Sequence, residues 1–461
     1  MTGPAARRRL PALHRYGGGD ARLLLLSAAV GAIAGLGALV FRAALDAATR
    51  LLLVGLGGYT PSTTLGEGGG SPASDFARPW AIPLVVALGG LMAGLLVQLL
   101  APEAEGHGTD AAIHAIHHDP SGIRLRAVAV KLVASAITIG SGGSGGREGP
   151  TAQISAGAAS AVARALSLPR ARARILVAAG MAAGIAAIFR APLAGAMLGV
   201  ELLYRDDLES DVLLPGLVAS VSGYVVYGAV DGFQPVFGDQ AALTFAGPSQ
   251  FVWFAVLGLA AGLVGRLYAA TFYGVAGMCR RIRLPKWLLP ALAGALVGAI
   301  GLVIPGVLGT GYGTVQELLT PAGALTLPVL VLIAVPFAKI LATSLSIGSG
   351  GSGGIFGPGM VIGAGLGAAV WRVLHDGAPA LSSSVGPSPA IFVLVGMVAV
   401  FGAISHAPVA MALMVAEMTG NLAVLPPAML ALAVAAVVVG ERTIYRSQLV
   451  TRSARPDLAP A

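Results

Sequence analysis

The sequence predicts an all-α protein that crosses a membrane many times and is built from two related halves. Three observations carry this. The 461 residues are 56% hydrophobic and only 11% charged, with a mean hydropathy of +0.82, whereas soluble domains are roughly a quarter charged. Apolar runs recur from residue 23 to residue 440. The stretch GSGGSGGREGP at 140–150 returns 208 residues later as GSGGSGGIFGP at 348–358, identical at nine of eleven positions.

Taken in order, Arg7, Arg8, Arg9 and Arg15 precede the first apolar run. That run continues to about Leu53 with Arg42, Asp46 and Arg50 inside it. It is too long for a signal-peptide core, so an uncleaved first helix is expected. Residues 81–101 contain one polar side chain, Gln98. At about 1.5 Å per residue such a run spans a hydrocarbon core of roughly 30 Å. Stretches 251–277, 287–309 and 422–440 are similar. One such run would suit a soluble core helix, but this many do not. The expected divisions are an N-terminal segment 1–21, a membrane domain 22–445 with halves at about 22–230 and 250–445, and a short tail 446–461.

The formal net charge of +8 would suit nucleic acid, but its distribution argues for membrane topology. Lys and Arg gather at Arg7–Arg9, Arg170/Arg172/Arg174, Arg280/Arg281/Arg283/Lys286 and Arg442/Arg446/Arg452/Arg455. Loops 231–250 and 373–390 hold none, and loop 54–78 holds only Arg78. Basic loops stay cytoplasmic. Both termini are therefore expected inside and those three loops outside, in the cell membrane. Cys279 is the only cysteine, so there is no intrachain disulfide and no thiolate metal site. No cofactor and no nucleic-acid partner are expected.

The repeat extends past the glycine-rich turns. FRAPLAGAMLGVE (189–201) is echoed by ISHAPVAMALMVAE (404–417), and in each a glutamate follows the alanine of Ala-Pro by ten residues: Ala191 to Glu201, Ala407 to Glu417. Paired halves with Gly/Pro-broken helices mark transporters built from inverted repeats, although sequence shows the relatedness and not the inversion. A flexible Gly-Ser linker would not recur in register between apolar helices. Other small residues, Gly31 with Gly35 and Gly363 with Gly367, suit close helix packing in lipid.

The repeated turn has a chemistry. Pro150 and Pro358 suit a first helical turn, where a missing N–H costs nothing. The residues just before them expose N–H groups that need a partner inside a bilayer. An anion is a good partner, because a helix N-terminus carries about half a positive charge. Two such N-termini, one per half, could hold an anion weakly enough to release it. Glu148 adds a carboxylate beside the first turn, and an ionisable side chain there points to function. It can occupy the anion site as a gate, released by protonation or by an incoming anion. The rival reading is a structural ion pair with Arg147.

GREGP (146–150), GIFGP (354–358), the run 191–201 and APVAMALMVAEMT (407–419), in this order and spacing, together resemble the CLC chloride channels and transporters over about 22–449. The resemblance implies a CLC-type all-α fold with two inverted halves, broken and re-entrant helices, and a homodimer with one anion path per subunit. It implies that Glu148 is the gating glutamate and that the amides of Arg147, Glu148 and Gly149 line an outer anion site. It further implies that Ile355 and Phe356 offer amides to a central site and that the Tyr445 hydroxyl reaches the same anion. Without the resemblance, Tyr445 would read as an interfacial anchor. Lys131 matches a buried lysine that adds positive potential.

Two positions depart from the family's pattern. Its GSGIP motif stands here as GHGTD (106–110), so His107 replaces the serine beside Gly108, and Asp110 replaces the proline. His107 can donate an N–H and, unlike serine, titrates near pH 6.5 unless perturbed, which would make anion passage pH-sensitive. Alternatively, only the backbone faces the anion. The second departure is Leu202, where proton-coupled members carry a glutamate. Glu201 is adjacent, but neighbouring helix positions point about 100° apart. A proton path through Glu201, His107 or the acids at 206–211 stays open, as do channel and exchanger. Pro150 and Tyr445 argue against the fluoride-exporting branch and His107 against the nitrate-selective one, which leaves chloride.

The rival from another class is a membrane serine protease, because GGSGG (142–146) satisfies G-x-S-x-G and His406 begins an apolar helix. Yet GGSGG recurs at 350–354, and one active site does not need two nucleophile turns. A P-loop fails, since no lysine follows either glycine run. His114, His117 and His118 have spacing that could place a metal on one helix face; a solvated interfacial helix is the simpler reading. The Arg170/Arg172/Arg174 run reads as a topology anchor with anionic lipid contact as an addition.

Overall fold

A computed structural model of the chain describes residues 18–240, 242–243, 245, 247–377 and 382–455. Arg7–Arg9, His14, Arg15 and the last residues of the tail lie outside them. The described chain is helical. The first half holds α1 (Gly18–Ala48), α2 (Ala81–Leu100), α3 (Thr109–His118), α4 (Leu125–Gly140), α5 (Glu148–Ala165), α6 (Arg170–Phe189), α7 (Pro192–Glu201) and α8 (Leu213–Asp231). The second holds α9 (Gln250–Arg281), α10 (Leu289–Val303), α11 (Tyr312–Leu318), α12 (Pro321–Thr326), α13 (Val329–Gly348), α14 (Phe356–Gly377), α15 (Ser382–Val385), α16 (Ala390–Ser405), α17 (Pro408–Thr419) and α18 (Leu425–Val439). It repeats the first in order, with α12 and α15 added.

Bonds exchanged between equivalent residues show how the halves are related. Gly146 N–H donates to Gly354 O (2.7 Å) and Gly354 N–H to Gly146 O (2.6 Å), in an antiparallel bridge. The Ser135 hydroxyl meets that of Ser352, and Ser144 meets Thr343, each at 2.9 Å. In both pairs, residues 208 apart have swapped roles. A segment that pairs antiparallel with its own repeat is related to it by a two-fold axis, so the halves are inverted. The N-termini of α5 and α14 therefore meet at the centre from opposite directions.

Local sequence explains the breaks. α7 and α17 each start on proline, and the helices before them, α6 and α16, end on left-handed residues: Arg190 (φ 54°) and His406 (φ 53°). A non-glycine residue there costs about 1–2 kcal/mol. Arg190 offsets it by donating to Gly66 O (2.9 Å) and Gln234 O (2.7 Å). The His406 ring meets Arg442 O at 3.0 Å. α3, α7, α11 and α17 have 10, 10, 7 and 12 residues, too short to cross a bilayer at about 1.5 Å per residue.

Among the described residues, eight helical stretches are long and apolar enough to cross a membrane. α6 and α16 are buried along almost their whole length, whereas α1, α2, α8, α9, α10 and α18 keep leucines and valines exposed. Glycines allow the tight internal packing. A Cβ on Gly363 of α14 would lie 2.2 Å from Gly396 O of α16, and one on Gly31 of α1 would lie 2.2 Å from Ala219 O of α8. Such backbone approach suits helices that gain no hydrophobic drive from lipid.

Candidate functional site

The site grows from the two glycine-rich turns. Glu148 is the first residue of α5 and is 1% exposed. One carboxylate oxygen accepts the Gly357 N–H at the start of α14 (3.0 Å), and the other accepts the Tyr312 hydroxyl at the start of α11. A Cβ on Gly146 would come within 2.1 Å of the first of these oxygens, so a side chain at 146 would evict the carboxylate. Arg147 does not pair with Glu148. Its guanidinium donates to Glu67 at 2.6 Å, which removes the ion-pair reading of the glutamate.

Glu67 belongs to a wider cluster. Arg42 lies 3.9 Å from it and also pairs with Asp231, which pairs with Arg190 at 2.5 Å. Arg42 also lies 3.7 Å from Asp46, so three arginines face three carboxylates at this end. Lys339 lies beside the cluster, its amine donating to the carbonyls of Val307 and Gly309, both at 3.0 Å. A recess of about 190 Å³ opens here, lined by Glu67, Arg147, Gly309 and Tyr312 among others.

At the other end the 106–109 turn seats on α5. Gly108 has φ +81°, and a Cβ on Gly149 would lie 2.0 Å from His107 O. The His107 ring is 5.6 Å from that of Tyr445 and 5.8 Å from that of Phe272. It therefore faces Tyr445 rather than turning away. His107 Nδ1 is buried without a hydrogen-bond partner among the described residues. Thr109 is a polar neighbour of the Tyr445 hydroxyl. Lys131 sits under the turn and donates to Gly106 O (2.6 Å) and Ala104 O (3.1 Å). A cavity of about 670 Å³ adjoins the turn, lined by His107, Gly108, Glu105, Asp110 and Ser447 among others.

Aromatic rings join the two ends. Centroid distances run Tyr312–Phe189 6.5 Å, Phe189–Phe356 5.3 Å, Phe356–Phe401 4.6 Å, Phe401–Tyr445 6.3 Å and Tyr445–His107 5.6 Å. Ile355 and Phe356 lie between the ends, with Ile355 O accepting the Tyr268 hydroxyl at 2.9 Å. The structure thus gathers Glu148, Arg147, Gly149, Ile355, Phe356, His107, Gly108, Tyr445 and Lys131 around one axis.

Glu201 lies apart from this axis. Its carboxylate accepts the amides of Val409 (3.2 Å) and Ala410 (2.8 Å), at the start of α17. Glu417 returns the bond to Leu193 (3.1 Å) and Ala194 (2.8 Å), at the start of α7. Leu202 is fully buried. Within 206–211, Glu209 pairs with Arg174 and with Arg452 (3.1 Å), and Asp211 with Arg452 (2.9 Å). Arg174 is therefore an internal ion-pair partner rather than a lipid contact. Arg170 donates to the carbonyls of His117 and His118.

The rival motifs dissolve. Ser144 bonds Thr343 and His406 bonds Arg442 O, so no serine–histidine pair forms. His117 Nε2 meets Leu203 O at 3.0 Å and His118 meets His114 O, and no cluster of metal-ligating side chains occurs among the described residues. Sequence reading missed Tyr312, Lys339 and Glu67. Two signals were present: GYGT at 311–314 echoes GHGT at 106–109, and Lys339 follows Lys131 by the repeat's 208 residues.

Inverted helical halves, broken at the centre around a buried carboxylate, define a multi-pass membrane protein of the CLC kind. The chain belongs to the voltage gated chloride channel family, whose sequence pattern matches residues 89–440. A ClcB-like protein of Ralstonia nicotianae, named as a chloride channel protein, is 34% identical over 367 residues, covering 78% of this chain and 83% of the relative. The voltage-gated ClC-type chloride channel ClcB of Salmonella dublin is 32% identical over 424 residues, covering 90% and 95%. Among solved structures, a slow cyanobacterial Cl−/H+ antiporter superposes with a TM-score of 0.75 at 25% identity, covering 92% of this chain and 96% of that one. A CLC-type fluoride/proton antiporter shares the fold at a TM-score of 0.74 and 21% identity, covering 94% and 98%.

Proposed function

We propose that the protein carries chloride across the membrane through one path per subunit, closed at its outer end by Glu148. One observation carries the reading: a carboxylate, itself an anion, sits where the starts of α5 and α14 converge and accepts an α14 amide. Helix N-termini that hold a carboxylate can hold a halide. The amides of Arg147, Glu148 and Gly149 serve the outer site. Those of Ile355 and Phe356, with Tyr445 and His107, serve the central one, and Lys131 supplies positive potential. The relatives' names, as chloride channels and a Cl−/H+ antiporter, support chloride as the substrate.

Passage is not obligatorily coupled to protons. Leu202 cannot relay a proton, and the carboxylate of its neighbour Glu201 is committed to two amides. The protein works as a homodimer in a bacterial cell membrane. Segment 1–21 and the tail 446–461 are cytoplasmic, on the basic side with Arg170 and Arg280–Lys286. The test is chloride efflux from liposomes holding purified protein. Glu148→Ala is expected to raise efflux severalfold by clearing the outer site. A wild type and a Glu148→Ala variant that both hold chloride as well as empty liposomes do would sink the proposal.

A further inference from the structure

We infer that Tyr312 is a latch for the outer gate: its hydroxyl holds the Glu148 carboxylate in the anion path and sets how often the path opens. The inference rests on the chloride-transport reading and adds a gating residue to it. Four observations carry it.

The first is the bond itself. The Tyr312 hydroxyl donates to one Glu148 oxygen while Gly357 N–H donates to the other, so both oxygens are held from α11 and α14. A gate held by one amide would be free to swing, whereas two donors from different helices fix its position. The second is Gly357. A Cβ there would lie 2.5 Å from the Tyr312 hydroxyl and 2.9 Å from both Glu148 oxygens. Glycine at 357 leaves the room in which tyrosine and glutamate meet.

The third is the setting of the ring. Tyr312 is 3% exposed. The Arg147 guanidinium stands 5.4 Å over its face, Phe237 meets it edge-on at 6.0 Å, and Phe189 lies 6.5 Å away. A ring packed on three sides has little rotamer freedom, so its hydroxyl waits where the gate arrives. Arg147 is itself held by Glu67. The fourth is the repeat. Gly311-Tyr312-Gly313-Thr314 matches Gly106-His107-Gly108-Thr109 in the other half. His107 faces Tyr445 at the inner end, and Tyr312 faces Glu148 at the outer end. Each half thus contributes one aromatic donor, and the one at the gate is already engaged.

A core tyrosine that merely satisfied its hydroxyl would affect stability and leave the open fraction alone. The experiment separates the two with purified full-length protein in liposomes, reading chloride efflux and, in detergent, the melting temperature. Tyr312→Phe keeps the ring and removes the donor. Efflux is expected to rise severalfold, toward the level of Glu148→Ala, because losing one hydrogen bond to a charged acceptor shifts the gate toward open by up to about tenfold. On a Glu148→Ala background the same change is expected to add nothing, because no gate is left to hold. Gly357→Ala should mimic Tyr312→Phe. If Tyr312→Phe does not reconstitute, 3-fluorotyrosine at 312 keeps the shape with a more acidic hydroxyl and should slow efflux. The latch is overturned if Tyr312→Phe conducts like wild type, if it raises efflux equally without Glu148, or if the fluorinated side chain leaves efflux unchanged. Absence of chloride flux in both wild type and Glu148→Ala would instead overturn the transport reading, and the latch with it.

Discussion

Asp110 stands where the resemblance leads one to expect proline, and its carboxylate accepts the Ser447 amide at 2.8 Å. Ser447 lies two residues past Tyr445, so the acid tethers the segment that presents the tyrosine hydroxyl to the central pocket. Gln448 tethers the same segment by donating to Leu202 O (3.1 Å) and Ser405 O (2.8 Å). With two anchors, loss of one should loosen Tyr445 without unfolding the tail. Asp110→Ala is expected to weaken chloride binding severalfold, since one charge-assisted hydrogen bond is worth about 1.5–3 kcal/mol and Gln448 retains part of the ordering. Calorimetric titration with chloride measures this, and an unchanged dissociation constant would refute the tether. At this scale the sequence showed Glu148 because a lone acid beside a glycine-rich turn is conspicuous. It did not show what Asp110 does, because the partner is a backbone amide 337 residues away, and a backbone amide has no signature in sequence.

The pair α7 and α17 shows the same limit at the level of elements. The equal spacing from Ala-Pro to glutamate was legible, and it suggested repetition. Its purpose became visible only when each carboxylate was found on the other helix: Glu201 on the start of α17, Glu417 on the start of α7. Each helix starts on proline, so few amides remain to be satisfied, and the partner half's glutamate satisfies two of them. Glu201 and Glu417 are therefore crossed N-terminal caps that lock the halves together. Truncating either to alanine should cost about 2–4 kcal/mol, the sum of a cap and a buried donor left unpaired. The two losses should be similar, because the geometry is repeated. Unfolding of purified protein in detergent against denaturant measures both. A Glu201→Ala variant as stable as wild type, with only proton flux altered, would make the residue a relay instead.

For the whole molecule, the two-half organisation was legible because the glycine-rich turns recur in register, whereas the inversion was not, because direction is a property of pairing. The Gly146–Gly354 bridge supplies that direction and brings two helix starts to one point. The same architecture decides the last prediction. An exchanger would bring protons to Glu148 through titratable side chains or through water. Here Leu202 offers no titratable group, the Glu201 carboxylate accepts the α17 amides, and that of Glu209 pairs with Arg174 and Arg452. His107 lines the large cavity, and the rings of Tyr445, Phe401 and Phe356 lead on from it toward the gate. With a chloride gradient across liposomes and no proton gradient, chloride efflux and external pH are recorded together. Chloride is expected to leave, with potassium and valinomycin balancing charge, while the external pH stays flat. A proton ionophore should then leave the chloride rate unchanged. If chloride flow instead drives protons uphill, the uncoupled reading is overturned.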